Sequence, residues 1–198
     1  MRLFFFATSV FIGISGYAQA MDVDCVKKNF AEYISAKEES QKYPLQFIKD
    51  QPPEVQQAVK DEVDYQLAFM AIEKAAFTAV IKADVNLIQV SEPISSFLRP
   101  YMEQDCVKIS PERCEVYTLI PHARIKKFVS GNNEFDGALK SFNTINMERM
   151  KNRDTTEKDR IKNRDVVYKR IENDMLKTDV AKVGQEIGSK TISELGCK

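Results

Sequence analysis

Residues 53–90 read PEVQQAVKDEVDYQLAFMAIEKAAFTAVIKADVNLIQV, and this stretch decides the fold class. Pro53 suits the first turn of a helix, and Glu54 complements the helix dipole there. Apolar residues then recur at spacings of three, four or six, which predicts one long helix over about 53–90. The centre, from Leu67 to Ile81, is apolar on more than one face, so we expect several neighbours to bury it.

The last third of the chain predicts a second long helix, over about 136–183. It contains no proline, and its one glycine, Gly137, lies near the start. The segment KNRD occurs at residues 151–154 and again at 162–165, a separation of 11 residues. Eleven residues make almost three helical turns, which favours one continuous helix. Residues 155–157, Thr-Thr-Glu, leave open the alternative that a new helix begins there.

The middle of this predicted helix, residues 147–166, is very polar. We therefore expect this segment either to be a solvated helix face or to project and contact a partner protein. The candidate partner surface consists of Lys151, Arg153, Asp154, Lys162, Arg164 and Asp165.

Shorter helices complete the expected fold. Apolar spacing predicts a first helix over about 24–37, a short helix over 93–102 and another over 122–129. Residues 40–51 are interpreted as a linker. The sequence therefore predicts an all-α fold: an elongated helical bundle with two long helices and several short ones.

Residues 106–121 are the ambiguous stretch. Residues 106–114 are interpreted as a loop closed by two cysteines. The following residues include β-prone Val116, Tyr117 and Thr118. However, Ser110-Pro111-Glu112 resembles a helix start, so we predict a helix that Pro121 ends.

The N-terminal residues 1–20 have the pattern of a cleavable signal peptide. A basic Met1-Arg2 precedes an apolar run, and Ala18-Gln19-Ala20 offers small residues to signal peptidase. The apolar run is about a dozen residues, shorter than the roughly 20 that span a bilayer. We therefore predict that residues 21–198 form one exported helical domain, periplasmic or secreted, with no stable membrane insertion after cleavage.

Four cysteines remain after removal of the signal peptide: Cys25, Cys106, Cys114 and Cys197. In an oxidising compartment an even number predicts two disulfides. We favour Cys106–Cys114, which closes a short loop, and Cys25–Cys197, which ties the ends. The alternatives pair each terminal cysteine with a central one.

Sequence motifs of catalysis are lacking. The chain has one histidine, His122, which is more typical of a surface or capping residue than of a catalytic group. Asp61 and Asp64 share a helix face, but their charged surroundings indicate a solvated face. The chain has 29 basic and 29 acidic residues, so its charge predicts no nucleic-acid partner. We expect no enzyme, no cofactor and no metal.

These features favour an exported, non-enzymatic protein that acts through contact with another protein. A bacterial periplasmic origin fits the signal peptide, and a eukaryotic secreted protein remains the alternative. The expected classes are a secretion- or conjugation-apparatus component and an immunity or inhibitor protein. The alternative function is a small apolar-ligand carrier, with a cavity between helices around residues 67–81.

Overall fold

The chain folds mostly into helices, as the sequence predicts. A computed structural model describes residues 21–84, 88, 93–96, 102–110, 113–154, 169, 171 and 173–197. The α-helices within these ranges are α1 (Val23–Lys42), α2 (Pro53–Ala83), α3 (Ala123–Val129), α4 (Asn133–Asp154) and α5 (Asp179–Ser189). Two short 3₁₀ helices, Tyr43–Gln46 and Ile94–Ser96, and two strands, β1 (Met102–Ser110) and β2 (Arg113–Pro121), complete the described elements. The predicted signal peptide, residues 1–20, lies outside the described part.

Helix α2 begins where it was predicted and ends earlier. Pro53 occupies its first turn, with Glu54 beside it. The helix ends at Ala83, because Asp84 is extended at φ −163° and ψ 101°. The prediction that it continues to residue 90 is therefore wrong. Aspartate side chains compete for backbone hydrogen bonds and favour helix ends, an effect that the apolar spacing does not register.

The second long helix, predicted over 136–183, is also corrected. Helix α4 starts earlier, because the Asn132 side chain caps it by accepting the N–H of Phe135 at 3.0 Å. Near the other end, a turn follows Met175 and a separate helix, α5, begins at Asp179. Thr178 caps α5 by accepting the N–H of Ala181 at 3.2 Å. Residues 155–168 lie outside the described part, so helix continuity there stays a prediction.

Residues 102–121 form an antiparallel hairpin, so the predicted helix after Cys114 is wrong. Cys106 lies opposite Tyr117 in the ladder, and Lys108 lies opposite Cys114. Of the predicted 93–102 helix, the described residues show a short 3₁₀ helix over Ile94–Ser96, and Met102 already belongs to β1. Residues 97–101 lie outside the described part. Because β-branched and aromatic side chains fit a pleated ribbon, local β-propensity prevails here over the helix-start pattern.

The hairpin is attached to α4 by the side-chain amide of Asn143. Its Oδ1 accepts the backbone N–H of Leu119 at 3.0 Å, and its Nδ2 donates to the carbonyl oxygen of Leu119 at 3.3 Å. Leu119 is itself buried. These contacts fix the second strand against the helical core.

The core is aromatic and lies where α1 and α4 meet α2. The rings of Phe30 and Phe77 stack with centroids 3.7 Å apart. The ring of Phe142 lies 5.0 Å from Tyr65 and 5.9 Å from Phe69. The expected burial of the centre of α2 is therefore confirmed. The apolar side chains there pack against neighbours, which argues against the cavity that the carrier hypothesis placed around residues 67–81.

The Cys25–Cys197 disulfide is present, as predicted, with Cα atoms 5.3 Å apart. It is the only disulfide whose two side chains both lie in the described part. Cys106 is also disulfide-bonded. The side chain of its predicted partner, Cys114, lies outside the described part, so that pairing stays a prediction. None of the described helices has the combined length and hydropathy that a bilayer crossing requires.

Candidate functional site

One face of α1 forms the first wall of the candidate site. Tyr33, Ala36 and Ser40 are spaced three and four residues apart and are all buried. This spacing places them on the same side of the helix. Asp22 stabilises the start of α1, because its carboxylate accepts the backbone N–H of Cys25 at 3.0 Å.

The second wall is α5, which approaches α1 through small residues. Ala181, Gly184 and Gly188 are buried and lie three and four residues apart. A Cβ atom at Gly184 would lie 3.5 Å from the Cβ of Ala36, whereas one at Gly188 would lie 2.7 Å from Cε2 of Tyr33. The glycines therefore permit a close approach of the two helices, and at Gly188 any side chain would collide.

An open groove of about 720 Å³ runs along this contact, and we call it the α1/α5 groove. Met175 and Leu176, just before α5, contribute to its lining, and Leu176 is 44% exposed. Lys182 and Glu186 also line it with exposed charged side chains. The groove thus combines an apolar floor with a charged rim, an arrangement suited to binding.

Lys37 lines the groove and forms an ion pair with α2. Its Nζ lies 3.1 Å from Oε2 of Glu73, whose side chain is only 5% exposed. The ammonium also lies 5.4 Å from the ring centroid of Tyr33 and 5.9 Å from that of Phe69. Burial lowers the pKa of Lys37, but the Glu73 carboxylate and Tyr33 raise it, and the net result is a pKa above the ordinary value.

The raised pKa decides what Lys37 can do chemically. A lysine acts as a nucleophile or a base only when it is deprotonated, and proteins achieve this by lowering its pKa. Lys37 has the opposite shift. Its role is therefore that of a fixed cation that joins the groove to the core.

The disulfide lies near the start of α1, beside Asn29. The Asn29 Nδ2 lies 3.5 Å from the sulfur of Cys25 and 3.4 Å from the sulfur of Cys197. The same nitrogen donates to the carbonyl oxygen of Cys25 at 3.0 Å. Cys197 is 0% exposed, whereas Cys25 is partly exposed. Cys25 is therefore the more exposed residue of the pair, and both sulfur atoms lie beside an amide donor.

The candidate partner surface from the sequence is not brought into this groove by any described contact. Three of its residues belong to the last turn of α4, with side chains outside the described part: Lys151, Arg153 and Asp154. The other three lie wholly outside it: Lys162, Arg164 and Asp165. That surface stays a prediction.

The one histidine considered in the sequence analysis has an acidic neighbour. His122 Nε2 lies 3.1 Å from Oε1 of Glu103, at the base of the hairpin. Glu62, in the charged stretch of α2, is partly buried and pairs with Arg149, whose guanidinium lies 4.1 Å from the Tyr65 ring centroid. Among the described residues, no cluster of three or more histidine, cysteine or acidic side chains is placed to hold a metal ion.

Comparison with known proteins leaves the function to be argued from this geometry. No family model matches the chain, and no curated protein or solved structure matches it significantly.

The groove was missed by the sequence analysis, although one signal was present. Ala181, Gly184 and Gly188 have the spacing of a small-residue helix face, but nothing in the sequence indicates which helix that face meets. Lys37 and Leu176 gave no signal, since a lysine and a leucine on helices are ordinary. Only the return of α5 onto α1 gives these residues a common site.

Proposed function

We propose that this chain is an exported, non-enzymatic protein that acts by binding another protein. The signal-peptide pattern of residues 1–20 supports export, and the Cys25–Cys197 disulfide suits an oxidising compartment. The proposal includes an elongated helical bundle, the second disulfide Cys106–Cys114 and a periplasmic or secreted location. A secretion- or conjugation-apparatus component and an immunity or inhibitor protein are the two classes proposed.

The observation that carries the proposal is the α1/α5 groove. Small-molecule sites usually bury most of the ligand surface, whereas this groove of about 720 Å³ is open. Leu176 is 44% exposed at the groove, and exposed apolar side chains with a polar rim are typical of protein interfaces. We therefore assign the groove as the main contact with the partner.

A second contact is proposed at the polar segment 147–166. Met147 and Glu148, which begin this segment, are exposed on α4. The charged residues that follow supply both signs of charge for a complementary surface. Neither Met147 nor Glu148 lines the groove, so a crosslink from α4 and a crosslink from the groove each report on a different contact.

Site-specific photo-crosslinking in the cells that produce the protein tests both contacts. A photoreactive amino acid is placed at Leu176, at Met147 or, as a control, at Phe47, which is 49% exposed on a different element. We expect one adduct of defined mass from positions 176 and 147 and none from position 47. Leu176→Arg should abolish the adduct formed at position 147 by releasing the partner, while Phe47→Arg should leave it unchanged.

The pattern of crosslinked adducts tests the groove contact and the α4 contact separately. An adduct at 147 without one at 176 would reject the groove as the contact and keep the α4 segment. The reverse result would reject the α4 segment. Absence of a defined adduct at both positions would overturn the proposal that the protein acts by protein contact.

A small apolar-ligand carrier is the second candidate function, and the volume of the groove favours it. About 720 Å³ lies within the range of roughly 300–1,000 Å³ found for ligand sites. The proposed cavity then lies between α1 and α5 instead of around residues 67–81. Native mass spectrometry of the purified protein should show a co-purified lipid that Leu176→Arg removes, and a ligand-free mass would reject the carrier.

A further inference from the structure

We propose that Cys25–Cys197 is a thiol–disulfide exchange site that controls attachment of the C-terminal arm, residues 179–197. The arm comprises α5 and the residues that return to the start of α1. Two features of the disulfide, unequal exposure and the adjacent Asn29 amide, carry the proposal. It does not depend on the function proposed above.

Unequal exposure determines which sulfur is attacked. Cys25 is partly exposed, whereas Cys197 is 0% exposed. The thiolate of an external thiol forms a new S–S bond with Cys25 as the Cys25–Cys197 bond breaks. The electron pair of the broken bond goes to Cys197, which leaves as a thiolate. A second external thiol can then displace Cys25, yielding an external disulfide and the Cys25 thiolate.

Asn29 is placed to stabilise the leaving group. Its Nδ2 lies 3.4 Å from the sulfur of Cys197, and its donation to the Cys25 carbonyl oxygen at 3.0 Å holds the amide in position. An N–H donor interacts weakly with a neutral disulfide sulfur and more strongly with a thiolate. Asn29 is therefore a positioning residue that lowers the barrier to exchange.

Opening the disulfide removes the covalent tie between the arm and the start of α1. The remaining ties of the arm include the Asp22 N–H to the Cys197 carbonyl oxygen, 2.9 Å, and the Ile94 N–H to the Lys190 carbonyl oxygen, 3.1 Å. Ile192 is buried and two further apolar side chains of the arm pack against the same core, whereas the face of α5 towards α1 carries alanine and glycine. Small residues bury little apolar area, so this contact gains little hydrophobic free energy. Exchange at Cys25 should therefore loosen the arm and with it the α1/α5 groove.

The first experiment uses the oxidised full chain and glutathione as a monothiol probe. After brief exposure under native conditions, free thiols are alkylated and the products mapped by mass spectrometry. We expect glutathione on Cys25 and the alkyl group on Cys197. Amide hydrogen exchange should then accelerate in residues 179–197 and stay unchanged in residues 67–81. Glutathione on Cys197 instead, or unchanged exchange in the arm, would overturn the proposal.

The second experiment tests Asn29 through the rate of reduction by dithiothreitol. Asn29→Leu keeps a similar volume and removes the donor, so reduction of Cys25–Cys197 should slow about tenfold, the scale of one charge-assisted hydrogen bond. The disulfide at Cys106 is the internal control and should be reduced at an unchanged rate. Asn29→Asp, which places a negative charge beside both sulfurs, should be slower still.

A third measurement on the unmodified chain protects the test against a variant that fails to fold. The rate of reduction is followed in increasing urea well below the unfolding transition. A rate that does not change with urea means that exchange occurs in the native state, as proposed. A rate that rises in proportion to the unfolded population, or an Asn29→Leu rate equal to that of the original chain, would overturn the proposal.

Discussion

Helix α1 packs against α2 on one side and against α5 on another, and different side chains make the two contacts. Towards α2, the rings of Phe30 and Phe77 stack 3.7 Å apart. Towards α5, the close approach is made at Gly184 and Gly188. The first contact buries large apolar area. In the second contact, small residues of α5 lie against Ala36 and Tyr33 of α1. The Cys25–Cys197 disulfide ties the chain that follows α5 to the start of α1.

The two contacts should therefore respond to substitution in opposite ways. A fully buried large apolar side chain contributes about 1.5–3 kcal/mol to stability, so the α2 side should be sensitive to truncation. A glycine contact has no side chain to lose, so the α5 side should be sensitive to enlargement. Four substitutions, two of them a matched pair, test this contrast in order of decreasing expected effect.

Phe30→Ala removes the buried ring of α1 that stacks on Phe77 of α2. We expect the free energy of unfolding to fall by about 3–5 kcal/mol, because a buried phenylalanine leaves a cavity when truncated. Urea denaturation followed by circular dichroism measures it. Phe47→Ala, at a ring that is 49% exposed, is the matched control and should cost less than about 1 kcal/mol. Equal losses would refute the aromatic core as the main source of stability.

Lys37→Met tests the ion pair that joins the two regions, since Lys37 lines the groove and pairs with Glu73 in the core. The change leaves the buried Glu73 carboxylate without this cation, and breaking a buried pair costs about 3–5 kcal/mol. Because the Lys37 side chain is 26% exposed, solvent screening reduces the expectation to about 2–3 kcal/mol. Lys28→Met, at an exposed position of α1, is the control and should be near neutral.

The pair also predicts a dependence on pH. Folding raises the pKa of Lys37, so its contribution to stability is complete below the unfolded lysine pKa of about 10.4. That contribution is lost as pH rises through the higher folded pKa. The stability difference between the original chain and Lys37→Met should therefore be constant from pH 7 to 9 and shrink towards pH 11. A difference that grows above pH 10 would contradict this assignment.

Gly188→Ala and Gly184→Ala form a matched pair on α5. The new Cβ at position 188 would meet the buried Tyr33 ring at 2.7 Å, so overpacking should outweigh the gain in helix propensity. We expect a net loss of about 1–2 kcal/mol. At position 184 the nearest contact is an ordinary 3.5 Å, so the same change should be neutral or stabilise by up to about 1 kcal/mol. Thermal unfolding of both variants shows whether the signs differ.

Residues that start helices, together with apolar spacing, made the helical part of the fold predictable from the sequence. Pro53 marks the start of α2, and most of the apolar positions from 67 to 81 are buried as expected. The Cys25–Cys197 pairing was also favoured correctly, by its position at the ends of the described domain. These features depend on local sequence or on a covalent constraint, both of which can be read without tertiary information.

The errors arise where local signals compete. Ser110-Pro111-Glu112 resembles a helix start, but Ser110 ends β1 and Arg113 begins β2, so the β-prone residues after it prevail. At the other end of the chain, Thr178 followed by Asp179 is an ordinary helix-cap pattern that the long apolar periodicity obscured. The groove could not be derived, because it depends on the angle at which α5 returns to α1.

The amide of Asn143 has a consequence for behaviour at high concentration. A two-stranded ribbon exposes backbone groups at its edges, and such edges can recruit strands from other molecules and start aggregation. Asn143 occupies both the donor and the acceptor of Leu119, as a third strand would. One side chain of α4 thus protects the ribbon against edge-to-edge association at this position, without adding any strand to the fold.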